Sequence, residues 1–182
     1  RQAYHRTRIS TIDGFCAGFL RDQALEALID PEFKVMDAWQ AEMELRHVVG
    51  KVLDGHYAAE PASALGFLKS FAGSRSRAEE ISLSSVHEQV FRLYQSMRVT
   101  GVARGRRKSK EGSDAAEFQA QRVWISGVLE KIDRQYRGWK RAAGLVDFPD
   151  LGELAVGILE KGRGRRLPFQ HILVDENQDT NP

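Results

Sequence analysis

The sequence has a single cysteine, Cys16, so these 182 residues cannot form an internal disulfide bond. A disulfide-stapled secreted scaffold is therefore excluded, and a reducing cytoplasm is the expected compartment. Long apolar runs are also missing, because none approaches the roughly 18 residues that a membrane-spanning helix needs. No signal-peptide pattern opens the sequence. We expect a cytoplasmic protein that has no membrane partner.

The sequence has no large excess of positive or negative charge, and its histidines do not have the spacing of metal ligands. The 27 basic and 25 acidic residues leave a net charge of +2, so partners have to be inferred from where the charges lie. The five histidines are scattered without a His-x-x-x-His or cysteine pairing, so no zinc site is predicted. The hydrophobic fraction of 42% and the charged fraction of 29% are typical of a folded globular chain.

A glycine-rich phosphate-binding loop is absent as well. The pattern Gly-x-x-x-x-Gly-Lys-Ser/Thr occurs nowhere in the chain, and its nearest imitation, Gly101–Ser109, has the wrong spacing. Such a loop holds the β- and γ-phosphates of a nucleotide through backbone amides and a lysine. We therefore expect that this chain alone does not hydrolyse a nucleoside triphosphate.

The clearest chemical pattern stands at residues 172–176. The apolar run Ile172–Val174 leads directly into the acids Asp175 and Glu176. The run predicts a buried parallel strand, because it is apolar on both faces and rich in β-branched residues. Ligands of open α/β sheets bind beyond the carboxyl ends of such strands. Because magnesium prefers carboxylate and water oxygens, we predict that Asp175 binds magnesium and Glu176 activates a water. A core strand followed by a polar turn is the alternative.

Most of the remaining chain has the apolar periodicity of amphipathic helices. Thr11, Asp37 and Asp147 are predicted helix N-caps, Gly55 is predicted to end the second helix, and residues 8–10 are a candidate short strand. The predicted buried faces are Ile12, Phe15, Cys16, Phe19 and Leu20 in the first helix, Phe118, Ile125, Val128, Leu129, Ile132, Tyr136 and Trp139 in the longest one, and Leu151, Leu154, Ala155, Ile158 and Leu159 in the last.

The segment 100–112 is rich in glycine and basic residues, and it contains almost nothing apolar that could pack into a core. Clustered basic side chains bind the phosphates of nucleic acid without sequence preference, and a solvated loop without a partner is the alternative. The tryptophans Trp39, Trp124 and Trp139 are expected in the core rather than stacked on bases. The candidate DNA-contacting residues of the segment are Arg104, Arg106, Arg107, Lys108 and Lys110.

Three segments resemble, in the right order, motifs of the UvrD-like superfamily 1 DNA helicases of the UvrD/Rep/PcrA and AddA/RecB types. Residues 175–182, Asp-Glu-Asn-Gln-Asp-Thr-Asn-Pro, resemble motif II, which is the Walker B element. Thr11–Arg21 looks like motif Ib, and Asp147–Leu151 looks like the acidic-aromatic segment before motif II. Two positions depart from the family pattern: Asn177 stands where a bulky aromatic is usual, and Asp13 stands where histidine is frequent.

The resemblance implies a mostly α chain in which a helical insertion, a 1B-type subdomain, interrupts an incomplete α/β RecA-like P-loop motor domain. The expected parts are residues 1–30, with the motif Ib strand and helix, residues 31–143, which form the insertion, and residues 144–182, with a helix and the Walker B strand. The first and last parts are expected to come together in one sheet.

The resemblance also implies a fragment of an ATP-dependent DNA helicase or helicase-nuclease subunit that acts in recombination or repair. Magnesium and ATP would act in the intact protein and would not be bound by this fragment. Gln178 and Asp179 would couple the nucleotide state to DNA, and Thr11 would contact DNA. The expected partners are single-stranded or duplex-junction DNA, a nuclease partner protein and, through exposed sheet edges, a second copy of the chain. A non-catalytic helical module for DNA or protein interaction is the alternative.

Overall fold

A computed structural model describes residues 9–62, 83–99, 115–161 and 173–175. The predicted mostly α fold is confirmed. None of the described helices is long and apolar enough to cross a membrane. The described helices are α1 (Ile12–Asp22), α2 (Ala24–Ala27), α3 (Ala38–Ala59), α4 (Leu83–Val99), α5 (Ala115–Ala142) and α6 (Phe148–Glu160), and the strands are β1 (Lys34–Val35) and β2 (Leu145–Val146).

The predicted helix starts are confirmed by their capping hydrogen bonds. The side chains of Thr11 and Asp37 each accept a hydrogen bond from the backbone N–H three residues later, at 3.1 and 2.7 Å. The predicted end of a helix at Gly55 is wrong, because α3 continues to Ala59. A glycine inside a helix costs only about 1 kcal/mol relative to alanine. Packing on both sides of Gly55 outweighs that cost, since Val52 is buried and Tyr57 packs against the core.

Helices α3, α4 and α5 pack around one hydrophobic cluster, and we call these three helices the helical unit. The predicted inward face of α5 is confirmed for Val128, Leu129, Ile132 and Tyr136, which are all buried; the burial of Phe118 lies outside what the structure describes. Apolar residues recur every three or four positions on each of these helices, so each presents one stripe to the others. The buried cluster contains Met36, Leu45, Val48, Val49, Val52, Leu53, Val86, Val90, Phe91, Tyr94, Trp124, Val128, Leu129, Ile132 and Tyr136.

A second hydrophobic cluster joins α1 to α6, the first and the last of the described helices. Helix α1 packs directly on α6, so parts of the chain that are far apart in sequence lie together, although the prediction itself was of a shared sheet. Ile12 and Leu159, which the periodicity placed on the buried faces, are exposed, so the prediction is wrong for these two residues. The buried cluster contains Cys16, Ala17, Phe19, Leu20, Phe33, Val146, Leu151, Ala155 and Ile158.

The observed sheet is not the sheet that the sequence predicts. Strands β1 and β2 form a parallel pair in which Lys34 lies opposite Leu145 and Val35 lies opposite Val146. Parallel strands need a long crossover connection, and here the whole helical unit provides it. Gly144, the residue directly before β2, adopts a left-handed conformation with φ of +64°, which glycine tolerates and other residues rarely adopt.

The two predicted strands at the chain ends are wrong for the residues that the structure describes. Ile9 and Ser10 belong to no strand. Leu173 and Val174 also belong to no strand, and they are 97% and 52% exposed rather than buried. A strand is held by hydrogen bonds to a neighbouring strand, and the sheet within the described ranges consists of β1 and β2 alone.

One tryptophan lies where the sequence reasoning did not expect it. Trp124 is buried and Trp139 packs against the helical cluster, as predicted. Trp39 is 73% exposed, so its predicted place in the core is wrong. It stands in the first turn of α3, off the face on which Leu45 and Val49 are buried, and helical spacing turns its side chain away from the core.

Candidate functional site

The predicted magnesium site lies only partly within the described residues. Asp175 is exposed. In the part of the chain that the structure describes, no three histidine, cysteine or acidic side chains gather closely enough to hold a metal ion. One carboxylate nevertheless suits magnesium, which is often held by a single protein carboxylate together with phosphate oxygens and waters. The other predicted residues of this site, Glu176, Gln178 and Asp179, lie outside the described residues.

The predicted DNA-contacting residue Thr11 is exposed at the start of α1. Its hydroxyl oxygen accepts a hydrogen bond from the backbone N–H of Gly14, so the residue serves as the helix N-cap. The neighbouring Asp13 is also exposed in the first turn, where its negative charge suits the helix dipole but repels phosphate. The predicted basic contacts, Arg104, Arg106, Arg107, Lys108 and Lys110, lie outside the described residues.

A group of charged side chains that the sequence reasoning missed is buried where α4, α5 and the start of α6 meet. Arg98 comes from the last turn of α4, Tyr136 and Lys140 come from one face of α5, and Asp147 and Asp150 come from the cap and first turn of α6. The four charged side chains are at most 8% exposed. Two positive and two negative charges cancel, which lets the group be buried as a neutral set. We call these five residues the buried network.

Asp147 is the most heavily bonded member of the buried network. The guanidinium of Arg98 donates to both of its carboxylate oxygens, from Nη1 at 2.5 Å and from Nη2 at 2.9 Å. Lys140 Nζ and the hydroxyl of Tyr136 each donate to Asp147 Oδ2 at 3.0 Å. A two-point guanidinium–carboxylate pair fixes orientation as well as distance, and here such a pair joins α4 to α6.

Asp150 completes the buried network and the helix cap. Arg98 Nη2 donates to Asp150 Oδ1 at 2.6 Å, and Lys140 Nζ donates to Oδ2. The backbone N–H groups of Asp147 and Asp150 each donate to the other residue's carboxylate at 3.2 Å. This is a capping box, so the predicted N-cap at Asp147 is confirmed. Arg98 Nε is buried and has no hydrogen-bond partner among the described residues.

The pKa values of the side chains in the buried network are set by burial and by the neighbouring charges. Burial on its own would raise the pKa of Asp147, but the hydrogen bond from Arg98 and the positive charge of Lys140 hold that pKa below its ordinary value. Burial lowers the pKa of Lys140. Burial, and then the negative charge of Asp147, raise the pKa of the Tyr136 hydroxyl far above its ordinary value. Tyr136 therefore stays protonated and acts as a hydrogen-bond donor.

A second polar group lies nearer the surface and connects α5 to α4 and α6. Arg137 donates to Asp133 at 2.8 Å and to both carboxylate oxygens of Glu153 at 3.1 and 2.8 Å. The hydroxyl of Tyr94 also donates to Asp133 at 2.8 Å. The side chains of Arg137 and Glu153 are 31% and 28% exposed, so water weakens this pair relative to the buried one.

One sequence signal could have pointed to the buried network. Ile132, Tyr136 and Lys140 follow each other at intervals of four residues on α5, so the lysine continues a buried stripe. Lysine is almost never fully buried unless it is paired, and an acidic partner was therefore required. Its acidic partners, Asp147 and Asp150, lie seven and ten residues further on, beyond the end of α5, so helical spacing does not identify them.

A cleft of about 590 Å³ lies beside the buried network. Its walls come from α3, α4 and the first turn of α6, so it opens between the helical unit and α6. The lining is mostly apolar, with polar groups where the network and the end of α4 reach it. The lining residues are Ala38, Ala41, Glu42, Leu45, Arg92, Gln95, Ser96, Arg98, Val99, Tyr136, Asp147, Phe148 and Pro149.

Comparison with known proteins finds a family and several relatives. The family model for the UvrD/REP helicase N-terminal domain matches residues 1–182. DNA helicase IV of Escherichia coli (strain K12) is 35% identical over 86 residues, which cover 47% of this chain and 12% of that protein. An ATP-dependent helicase/nuclease subunit of Clostridioides difficile (strain 630) is 36% identical over 69 residues, which cover 31% of this chain and 5% of that protein.

A third relative is an ATP-dependent helicase/nuclease subunit of Syntrophomonas wolfei subsp. wolfei (strain DSM 2245B / Goettingen). It is 31% identical over 77 residues, which cover 41% of this chain and 6% of that protein. No solved structure matches the chain. The matched stretches thus span between 5% and 12% of the length of these relatives.

Proposed function

Because the chain belongs to the UvrD/REP helicase N-terminal domain family, we propose that it forms part of the first motor domain of an ATP-dependent DNA helicase or of the helicase subunit of a helicase-nuclease. In this proposal residues 1–30 and 144–182 belong to an α/β RecA-like motor core, and residues 31–143 form a 1B-type insertion. The activity requires a phosphate-binding loop, which these residues lack.

The observation that carries the proposal is the packing of α1 on α6. These helices lie on either side of the helical unit in sequence, yet they share one hydrophobic cluster. Strand β1, which precedes α3, pairs in parallel with β2, which precedes α6. This pairing brings together the same two parts of the chain, before and after the helical unit. A motor domain that is interrupted by an insertion requires this arrangement, since its two halves have to rejoin.

In the proposed mechanism, Asp175 would hold magnesium beside the nucleotide phosphates, and Glu176 would orient and deprotonate the attacking water. The carboxylate of Asp175 is exposed, so a hydrated ion can reach it. Bound magnesium would neutralise charge on the nucleotide phosphates. Gln178 and Asp179 would communicate the nucleotide state to DNA.

The test of this mechanism uses the intact helicase with its phosphate-binding loop. Glu176→Gln should abolish ATP turnover while nucleotide binding is retained, because the amide cannot accept the water's proton. Glu160→Gln is a matched control that removes one exposed carboxylate from the end of α6 and should leave turnover unchanged. Undiminished turnover in Glu176→Gln would overturn the assignment.

DNA is the proposed polymer substrate, and the basic segment around residues 104–110 is its proposed binding element. Replacing the basic residues should weaken DNA binding and reduce its salt dependence, by up to about 0.7 in the logarithmic slope for each phosphate of single-stranded DNA that is no longer neutralised. A control with Arg134→Ala and Arg141→Ala removes exposed charges from α5 instead. Equal effects of the two variants would contradict a specific role for the segment. The residues replaced are Arg104, Arg106, Arg107, Lys108 and Lys110.

Two protein partners are proposed in addition to DNA. A partner nuclease subunit follows from the likeness to two proteins that are named as subunits of a helicase/nuclease. A second copy of the chain could pair through exposed sheet edges, because unpaired strand edges favour association. Gel filtration with light scattering tests the second partner, and a constant monomer mass at all concentrations would contradict it.

A further inference from the structure

We propose that Arg98 and Lys140 are positioning residues: through the buried network they fix the orientation of α6 relative to the helical unit. The importance of this orientation for catalysis rests on the proposed function, because the chain runs from the end of α6 at Glu160 towards Asp175. The orientation itself can be tested without nucleotide or DNA.

The cleft shows why packing alone does not fix this orientation. It separates α3 and α4 from the first turn of α6, so apolar side chains are not in continuous contact there. Hydrophobic contact is also non-directional, so by itself it would allow α6 to change its angle relative to the helical unit across the cleft. Directional bonds are therefore needed at the start of α6 to select one arrangement.

The strand pair supplies only one of the two attachments that a fixed orientation needs. Strands β1 and β2 contribute two residues each, and their flanking bonds join Lys34 N to Gly144 O at 3.0 Å and Met36 N to Val146 O at 2.8 Å. A ladder of only two residues on each strand still allows α6 to rotate about the axis of β2. The buried network begins at the next residue, Asp147, and it ties α6 to α4 and α5 as a second attachment.

The bonding pattern of the buried network restricts that rotation. Arg98 meets Asp147 at two points and Asp150 at a third, so its guanidinium plane has to match both carboxylates at once. Lys140 bonds the same two carboxylates from α5. Rotating α6 would separate several charge-assisted bonds together and leave buried charges uncompensated. Only one orientation satisfies all of them.

The experiment measures a distance distribution between spin labels on the helical unit and on α6. Labels are attached at Glu130→Cys on α5 and Gly152→Cys on α6, both exposed positions, in a Cys16→Ala background that removes the native thiol. Pulsed electron paramagnetic resonance then reports the width of the label–label distribution. Circular dichroism and the thermal midpoint establish that each variant is folded.

The principal variant removes all four buried charges together, so that none is left unpaired. The unaltered network should give a narrow distribution. The neutral variant should give a distribution about twofold wider, because the charge-assisted, directional bonds of the buried network are then lost from the start of α6. A neutral variant that folds and keeps the narrow distribution overturns the proposal. The four substitutions are Arg98→Met, Lys140→Met, Asp147→Asn and Asp150→Asn.

A milder variant keeps the proposal testable if the neutral variant does not fold. Arg98→Lys preserves the charge balance but loses the two-point geometry, and it should also widen the distribution. A narrow distribution in folded Arg98→Lys overturns the proposal.

Two controls separate orientation from stability. Val128→Ala destabilises the core of the helical unit, where Val128 is fully buried, and Glu153→Gln breaks the partly exposed pair between α5 and α6. Both should keep the narrow distribution, and widening equal to that of the neutral variant would overturn the proposal. ATP turnover by the intact helicase is measured separately, so a failure of the proposed function is distinguished from a failure of this inference.

Discussion

Arg98 and Asp147 form a two-point ion pair in the interior of the protein, with N–O distances of 2.5 and 2.9 Å. Their side chains are only 5% and 4% exposed. Lys140 and Asp150 complete a neutral set around them, so each buried charge is compensated within the set. The pair joins the end of α4 to the start of α6, and its loss should affect both the stability and the geometry of this junction.

Removing one member of the pair should be strongly destabilising. Arg98→Met leaves two buried carboxylates with Lys140 as the one remaining cation of the buried network, and such a loss typically costs about 3–5 kcal/mol. Urea denaturation measures the change in the free energy of unfolding. Arg92→Met is the control, because the Arg92 side chain is 75% exposed and an exposed ion pair contributes about 1 kcal/mol or less. Similar losses in the two variants would contradict this prediction.

Stability at acidic pH should depend on Glu88. Hydrogen bonds from Arg46 and Arg92, at 2.5 and 2.7 Å, lower the pKa of Glu88 to about 2. Because the pKa of Glu88 is lower in the folded than in the unfolded protein, Glu88 stabilises the fold fully at pH values above its unfolded pKa of about 4.3. This contribution is lost as the pH falls towards 2. The thermal midpoint between pH 6 and 2 should therefore fall less steeply in Glu88→Gln. Carboxyl-carbon NMR should place the midpoint of Glu88 near 2, and an ordinary midpoint would contradict the prediction.

Two tyrosines should resist ionisation in the folded protein. Burial, together with the charges of Asp133 and Asp147, raises the pKa of Tyr94 and of Tyr136 far above the ordinary value. The stability that results is present below about pH 10 and is lost as pH rises beyond it, because only the unfolded chain releases these protons there. The ultraviolet absorbance of tyrosinate should show both groups titrating only after urea is added. Titration of both near pH 10 in the native protein would refute the assignment.

Gly144 should not tolerate a side chain, because its φ of +64° is left-handed. Gly144→Ala should lower the free energy of unfolding by about 1–2 kcal/mol, the cost of that conformation for an L-residue. Gly152→Ala is the matched control, since Gly152 lies inside α6 and an added Cβ there would point into open space. That substitution should instead stabilise the protein by about 0.5–1 kcal/mol. Urea denaturation of both variants checks the opposite signs, and equal signs would disprove the reasoning.

Trp39 should account for most of the quenchable fluorescence. It is 73% exposed, whereas Trp124 is buried and Trp139 is partly buried against the core. Iodide should quench one fraction of the native emission readily, and Trp39→Phe should remove that fraction. An unchanged quenching curve in Trp39→Phe would show that the exposed emitter is another residue.

The sequence by itself determined the features that depend on neighbours along the chain. The caps at Thr11, Asp37 and Asp147 and the buried face of α5 were predicted correctly, because capping bonds and helical periodicity involve residues within one or two turns. The three ordered motif segments also identified the helicase family that the comparison then found. The roles of Asp175 and Glu176 remain predictions that rest on those motifs.

Only the tertiary structure decided the features that depend on distant contacts. The pairing of β1 with β2 and the Arg98–Asp147 pair each follow from how separate helices and strands meet. Lys140 continues the buried stripe of Ile132 and Tyr136, but helical spacing could not name the acids that compensate its charge, because they lie beyond the end of α5. The Arg98–Asp147 contact joins residues that are 49 positions apart, and such contacts are selected by the packing of the whole chain, so no local window of sequence could reveal it.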